Sequence, residues 1–354
     1  MALFRKKPVP MLGIDVSSTS VKLIELRGHD QRFRVESFAV EPLAQNAVIE
    51  KNISNIEAVS EGIRAAVRRS QTKLKQAAVA VPGSSAISRT LTLPAGLNDD
   101  ELEAQVQLQA DQYVPYPLEE VNLDFQIIGP AQRDPNEVEV LLVASRSENV
   151  DIRVDALEAA GLKAQLVDVE SYALEETFTR LIAPELPEAS EGTVAVVDVG
   201  ATMTTLTVFE AQQIVYTRDQ VFGGRQLTDE IMRRYGLSYE EAGRAKRQGG
   251  GLPDTYEEEV LAPFREAMSQ QVGRSLQFFF GASQHNSVDH VVLAGGCAGV
   301  TGAAEAIADA TGAPTTVANP FARMSVASRV KPQALADDAP AMMIACGLAL
   351  RSFD

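Results

Sequence analysis

Short apolar runs separated by polar turns open the chain. Leu12, Ile14 and Val16 form one run, Val21, Leu23, Ile24 and Leu26 form the next, and Ser17, Ser18, Thr19 and Ser20 lie between them. Two such runs joined by a tight polar turn predict a β-hairpin. Residues 32–43 alternate as a third strand stopped by Pro42. Ile53, Ile56, Val59, Ile63, Ala66 and Val67 then recur at helical spacing, predicting a helix over 52–71 capped by Asn52 or Ser54. A short buried strand over 77–81 ends at Pro82-Gly83.

From residue 84 to 161 the pattern predicts an inserted β-α-β-β-α block. Its elements are a strand over 87–93, a helix from Asn98 to Tyr113 stopped by Pro115 and Pro117, strands over 123–128 and 138–145, and a helix over 148–160 ending at Gly161. A strand over 162–169 and a helix over 170–182 return the chain to its first half. Residues 184–192, P-E-L-P-E-A-S-E-G, form a linker. The division that follows is a first lobe of 1–83 and 162–183, an insert of 84–161, and a second lobe of 193–354.

The second lobe opens as the first one did. A strand over 194–197 ends in Asp198, as the strand of Leu12 and Ile14 ends in Asp15. A turn of Gly200, Ala201 and Thr202 leads to a strand over 204–209. A helix over 226–235 follows, then one over 239–249 interrupted by Gly243. Next come a long amphipathic helix over 256–280 with a Val260, Phe264, Met268, Val272, Leu276, Phe279 stripe, and a strand over 288–294. Gly295-Gly296-Cys297-Ala298-Gly299, a helix over 301–310, a strand over 315–318 and a C-terminal helix over 339–352 complete the chain.

One hairpin of this kind suits either a surface turn or a phosphate cradle. A turn rich in N–H and hydroxyl donors, with Asp15 on one side and Lys22 on the other, fits a polyphosphate with a divalent cation. Repetition at Asp198 favours two similar lobes facing one ligand.

Composition narrows the field. The 354 residues suffice for two domains, and 45% hydrophobic with 23% charged residues is ordinary for a globular protein. A net charge of −16 argues against non-specific nucleic-acid binding. No apolar run approaches membrane-spanning length, and Leu3 to Pro8 forms a short basic tail instead of a signal-peptide core. With Cys297 and Cys346 alone, no disulfide framework is expected, so a reducing cytoplasm is the expected compartment. The three histidines are scattered without zinc spacing.

Taken together, D-V-S-S-T-S-V-K at 15–22, D-V-G-A-T-M-T at 198–204 and V-V-L-A-G-G-C-A-G at 291–299 resemble the two phosphate motifs and the adenosine motif of the actin-like ATPase superfamily. The fold so implied is α/β, with two lobes around a nucleotide cleft and the insert placed as in FtsA. Within that group the chain resembles the PilM family of type IV pilus assembly proteins, through L-G-I-D-V-S-S-T-S-V-K-L-I-E-L, V-I-E-K-N-I, D-Q-Y-V-P-Y-P-L-E-E-V and V-F-G-G-R-Q-L-T.

The resemblance implies ATP and Mg²⁺ as cofactors. Ser17, Ser18, Thr19, Ser20 and Lys22 would hold phosphate; Asp15 and Asp198 would hold Mg²⁺ largely through water. Gly200, Ala201 and Thr202 would form the opposite phosphate wall, and Gly295, Gly296 and Gly299 would pack on adenosine. Lys246 would reach ribose or adenine, although Gly243 stands where relatives often carry a glutamate. Glu170 would orient a hydrolytic water or would simply be a first-turn helix residue. The implied partner is the cytoplasmic N-terminal tail of the inner-membrane protein PilN, lying between the first lobe and the insert. That makes the expected protein a cytoplasmic ATP-binding scaffold, peripheral to the inner membrane, with at most slow hydrolysis. The alternatives are a small-molecule kinase of the same superfamily or a filament former. Tyr113 to Pro117, Y-V-P-Y-P, is either a peptide-gripping surface or a helix stop.

Overall fold

The opening hairpin forms where the pattern places it. Strands β1 (Leu12–Val16) and β2 (Ser20–His29) pair antiparallel, with Ile14 opposite Leu23 and Asp15 opposite Lys22. The computed structural model describes residues 10–29, 32–131, 134–248 and 251–354; the basic tail lies outside the described residues. Strand β3 (Arg32–Pro42) extends the meander. A ribbon of two residues per strand follows, β4 (Val48–Ile49) and β5 (Asn52–Ile53), with Glu50 and Lys51 at its tip. Both tip residues have positive φ, 49° and 67°. Because the ribbon consumes Asn52, helix α1 (Ile56–Ser70) starts later than the spacing predicts. Its cap is Asn55, not Asn52 or Ser54, and the Asn55 side-chain oxygen accepts the Ala58 N–H at 2.9 Å. Strand β6 (Gln76–Val81) then runs parallel to β1.

The insert holds β7 (Ala86–Pro94), α2 (Asp99–Tyr113), β8 (Val121–Pro130) and β9 (Glu137–Arg146), with β9 central in a three-stranded sheet. Helix α2 begins with a reciprocal capping box between Asn98 and Glu101. It buries Leu102, Val106 and Ala110 against Leu91, Leu93, Val140 and Leu142. Helix α3 (Ser147–Ala159), the last element of the expected block, turns its buried side to the first lobe. Its Ala156 and Leu157 pack with Leu12, Ile63 and Val79.

Strand β10 (Lys163–Val169) joins β6 in parallel, and α4 (Glu170–Thr177) leads through a π-turn at Phe178–Ile182 to two short 3₁₀ turns. The expected linker is therefore pinned at Ala189, which is buried between the lobes beside Phe178 and Val194.

In the second lobe, β11 (Thr193–Val199) and β12 (Thr204–Glu210) repeat the hairpin, and β13 (Gln213–Gln220) adds an edge strand that the apolar pattern missed. Helix α5 (Gly224–Tyr235) and helix α6 (Tyr239–Gln248) follow. Gly243 does not interrupt α6: one interior glycine costs only about 1 kcal/mol, and Ala242 beside it is buried in the lobe's core. A π-stretch at Glu257–Leu261 leads into α7 (Ala262–Ala282), whose predicted stripe is buried. Strand β14 (His290–Ala294), α8 (Ala303–Thr311) and β15 (Thr315–Val317) complete a sheet ordered β13-β12-β11-β14-β15.

The expected second lobe of 193–354 gives up its last part. Strand β16 (Ser325–Val326) pairs with β3, making the first sheet β10-β6-β1-β2-β3-β16. After α9 (Pro332–Asp338), helix α10 (Met343–Leu350) packs on β1, β2, β6 and α4. Its sequence, M-I-A-C-G-L-A-L, is apolar all round, so it needs cover on every side. The first-lobe sheet supplies most of that cover, and Met343 reaches the second lobe beside Phe178 and Val292. Contact is close enough that a Cβ on Gly13 would overlap Ala345 and Ala349, and one on Gly347 would overlap Ala173.

Candidate nucleotide site

Both hairpins close their turns identically. In the first, the N–H two residues after Asp15 donates to a carbonyl three further on, Ser17 to Ser20 at 3.0 Å. In the second, the N–H two residues after Asp198 does the same, Gly200 to Met203 at 2.9 Å. The turns face each other, and the Ser18 and Thr202 hydroxyls meet at 2.9 Å across the lobes. Ser17 also sends its hydroxyl to the Ser20 carbonyl at 3.0 Å and lies 3.3 Å from the Ser20 hydroxyl.

Register places Lys22 directly opposite Asp15. Its ammonium lies 2.6 Å from the Asp15 carboxylate and 3.1 Å from the Ser17 hydroxyl. Burial works against the ammonium, yet Asp15, backed by Asp198 and Glu170, holds it above its ordinary value. Asp198 occupies the matching strand end and forms no side-chain hydrogen bond or ion pair among the described residues. Burial raises its pKa, opposed by Lys22 and Lys51.

The glycine loop after β14 folds against this carboxylate. Gly295 has φ of 87°, and a Cβ there would overlap the Asp198 carboxylate and the Val199 carbonyl, so only glycine fits. The Cys297 N–H donates to Val199 at 3.0 Å, which fixes Gly296 to Gly299 along the second hairpin. The N-terminus of α5 takes the backs of the same turn: the Gly224 and Arg225 N–H groups donate to Gly200 and Ala201 at 3.0 and 2.7 Å. Lys246 donates to the Gly224 carbonyl at 2.8 Å and to the Thr228 hydroxyl at 3.3 Å, so α6 is fastened to the first turn of α5.

Glu170 starts α4, and its carboxylate accepts from the Lys51 ammonium at 2.8 Å. Burial raises the Glu170 pKa, with Lys51 the main opposing charge. Lys51 also donates to the Thr205 hydroxyl at 3.2 Å and lies 3.7 Å from Asp219. Thr205 in turn donates to Asp219 at 2.6 Å. Burial opposes the Lys51 charge, but Glu170 and Asp219 raise its pKa well above the ordinary value.

The residues given a nucleotide role from the sequence line one cleft of about 3170 Å³: Asp15, Ser17 to Ser20, Lys22, Glu170, Asp198, Gly200 to Thr202, Lys246, and Gly295, Gly296 and Gly299. The cleft continues into a groove bounded by Arg89 and Leu141 of the insert, Tyr172 of α4 and Thr217 of β13. Tyr113 and Tyr116 are not among the residues lining it; both are exposed, with the Arg146 guanidinium 5.1 Å from the Tyr116 ring centre. Among the described residues, no group of three or more His, Cys, Asp or Glu could by itself hold a metal ion. None of the helices described is long and apolar enough to cross a membrane.

Sequence reasoning missed Lys51, Thr205, Asp219 and Arg153. Lys51 stood inside the V-I-E-K-N-I stretch, but a ribbon of two residues per strand leaves no readable period. Arg153 is 4% exposed, three residues before Ala156 on the buried side of α3; an arginine at such a position was the available signal.

Comparison with known proteins follows the same lines. A family model described as type IV pilus assembly protein PilM matches residues 13–353. The solved PilM-PilN type IV pilus biogenesis complex matches with a TM-score of 0.79 at 26% identity, covering 98% of this chain and 99% of that one. The ethanolamine utilization protein EutJ from Carboxydothermus hydrogenoformans matches with a TM-score of 0.55 at 17% identity, covering 98% and 92%, a likeness of fold.

Proposed function

The chain belongs to the PilM family of type IV pilus assembly proteins, and on that footing we propose that it is an ATP-binding scaffold whose nucleotide state modulates the docking of a membrane partner. The observation that carries this reading is the meeting of the two strand–Asp–turn hairpins, Ser18 to Thr202 at 2.9 Å, with Asp15, Lys22 and Asp198 converging behind them. Backbone and hydroxyl donors of both turns would hold the phosphates. Asp15 and Asp198 suit a hydrated magnesium ion: the donors are carboxylate oxygens, and too few converge for a cage made of protein alone. Bound there, the metal would supply charge to the phosphates. Gly295, Gly296 and Gly299 would pack on adenosine, with Lys246 fastening the adjoining helices.

Slow turnover fits the same geometry. Glu170 is held by Lys51 at 2.8 Å through one oxygen, and burial favours its protonated form, in which it is a poor acceptor for the proton of a water. Occupancy, not hydrolysis, is then the signal.

The docked partner in this reading is the cytoplasmic N-terminal tail of PilN, which would place the protein at the cytoplasmic face of the inner membrane. The groove along β7, β9 and α4 is of a kind that takes an extended peptide, since it offers an edge strand and open backbone. The experiment is a calorimetric titration with a synthetic PilN-tail peptide, repeated with ATP, ADP and no nucleotide, beside a phosphate-release assay. Expected is peptide affinity that changes with nucleotide and little phosphate release. Peptide affinity indifferent to nucleotide, or rapid turnover, would defeat the scaffold reading.

A further inference from the structure

Arg153 is a buried arginine with no carboxylate at ion-pair distance among the described residues. All its hydrogen bonds found there go to backbone carbonyls. Nε donates to Ala80 at 2.7 Å, one terminal nitrogen to Asn149 at 2.9 Å, and the other to Lys51 at 2.9 Å. These three carbonyls belong to separate parts of the molecule. Ala80 lies one residue before the end of β6, where the chain is about to leave for the insert. Asn149 lies on α3, the helix that follows directly from β9, the insert's central strand. Lys51 forms the ribbon tip, in a left-handed conformation that a non-glycine residue holds only when neighbours fix it.

We propose that Arg153 is a positioning residue that ties both hinges of the insert to Lys51, and so sets where the Lys51 ammonium stands between Glu170 and Thr205. A partner that shifts the insert pulls on its two joints to the first lobe, the end of β6 and the start of α3. The rigid guanidinium fork transmits that shift to the ribbon tip, because its donors have fixed mutual geometry. Lys51 bridges Glu170 of the first lobe and Thr205 of the second, so displacement of the tip alters the contact between lobes. The proposal names a route by which a partner on the insert reaches the cleft. In that respect it rests on the nucleotide reading above.

The test combines amide hydrogen exchange of the full chain with calorimetric ATP titration, on the unmodified protein and on Arg153→Met, Lys51→Met and the double variant. Expected is faster exchange confined to residues 48–53 in Arg153→Met, an ATP affinity lower by about tenfold, and no further loss when the change is added to Lys51→Met. Unchanged exchange over 48–53, exchange raised evenly along the chain, or additive losses of affinity would overturn it. Should Arg153→Met fail to fold, Arg153→Lys keeps the charge without the fork, and the same local exchange and intermediate affinity are expected. Absence of ATP binding in the unmodified chain would defeat the nucleotide reading instead, and exchange at the ribbon would still uphold or overturn the strut.

Discussion

The two hairpins share a turn but not an electrostatic plan. In the first, Asp15 faces Lys22 on its own partner strand, and the charge is balanced within eight residues. In the second, the position opposite Asp198 is Thr205. No lysine of that hairpin is available there; the positive charge opposing Asp198 comes from the other lobe, first from Lys22 and then from Lys51, which is bonded to Thr205 at 3.2 Å. The first hairpin is therefore a finished half-site, whereas the second is completed only when the lobes meet. A pair of similar motifs thus yields one fixed wall and one conditional wall, the second depending on how the lobes meet.

The largest expected effect breaks the self-sufficient wall. Lys22→Ala leaves Asp15, 6% exposed, without its cation; removing one partner of a buried pair costs about 3 kcal/mol. Thermal denaturation should register that loss, and calorimetry should find no magnesium-dependent ATP binding. Unchanged affinity would sink the assignment of the phosphate site.

Neutralising each aspartate in turn should give opposite signs. Asp15→Asn discards the Lys22 ion pair and lowers stability by about 2 kcal/mol. Asp198→Asn removes a partly buried charge that has no direct partner and raises the stability of the nucleotide-free protein by at most about 1 kcal/mol. Both variants should lose magnesium-dependent binding. Denaturant melts showing the same sign for both would erase the contrast between the walls.

Lys51→Met should affect communication more than stability. Glu170 is left partly buried without its ammonium, costing about 1–2 kcal/mol after it takes up a proton, and the lobes lose one of their polar bridges. Peptide titrations with and without ATP should then converge on one affinity.

The smallest effect is a pH slope. An acid whose folded pKa is raised binds a proton more tightly when folded, so stability falls as pH rises from the unfolded value toward the folded one. For Asp198 and Glu170 that window starts at 3.8 and 4.5 and extends upward. Asp198→Asn should flatten part of the decline in melts recorded across that range; an unaltered slope would remove Asp198 as its source.

Much of this was legible because it is local. Hairpin turns, the Asn98 capping box and the stripe of α7 each announce themselves within a few residues. The partner of an apolar helix does not: M-I-A-C-G-L-A-L states that α10 must be buried, while only the fold states that β1 and α4 bury it. The matching of Lys22 with Thr205 was equally hidden, since it depends on cross-strand register. Single-residue exceptions proved weak guides in both directions. Gly243 was expected to break a helix and does not, whereas Arg153, which the sequence reading did not single out, is buried.

The return of α10 to the first sheet also has a consequence for synthesis. The Met11 N–H donates to the Ser352 hydroxyl at 2.9 Å, and β1 takes its cover from residues 343–350. On the ribosome, one face of β1 finds β2, α1 and α3 early, while its other face waits for α10, and Met11 for a partner 341 positions later. Contacts so distant in sequence form late. The cleft between the two hairpins is thus assembled last, so a half-made chain has one wall of it without the backing that sets its position.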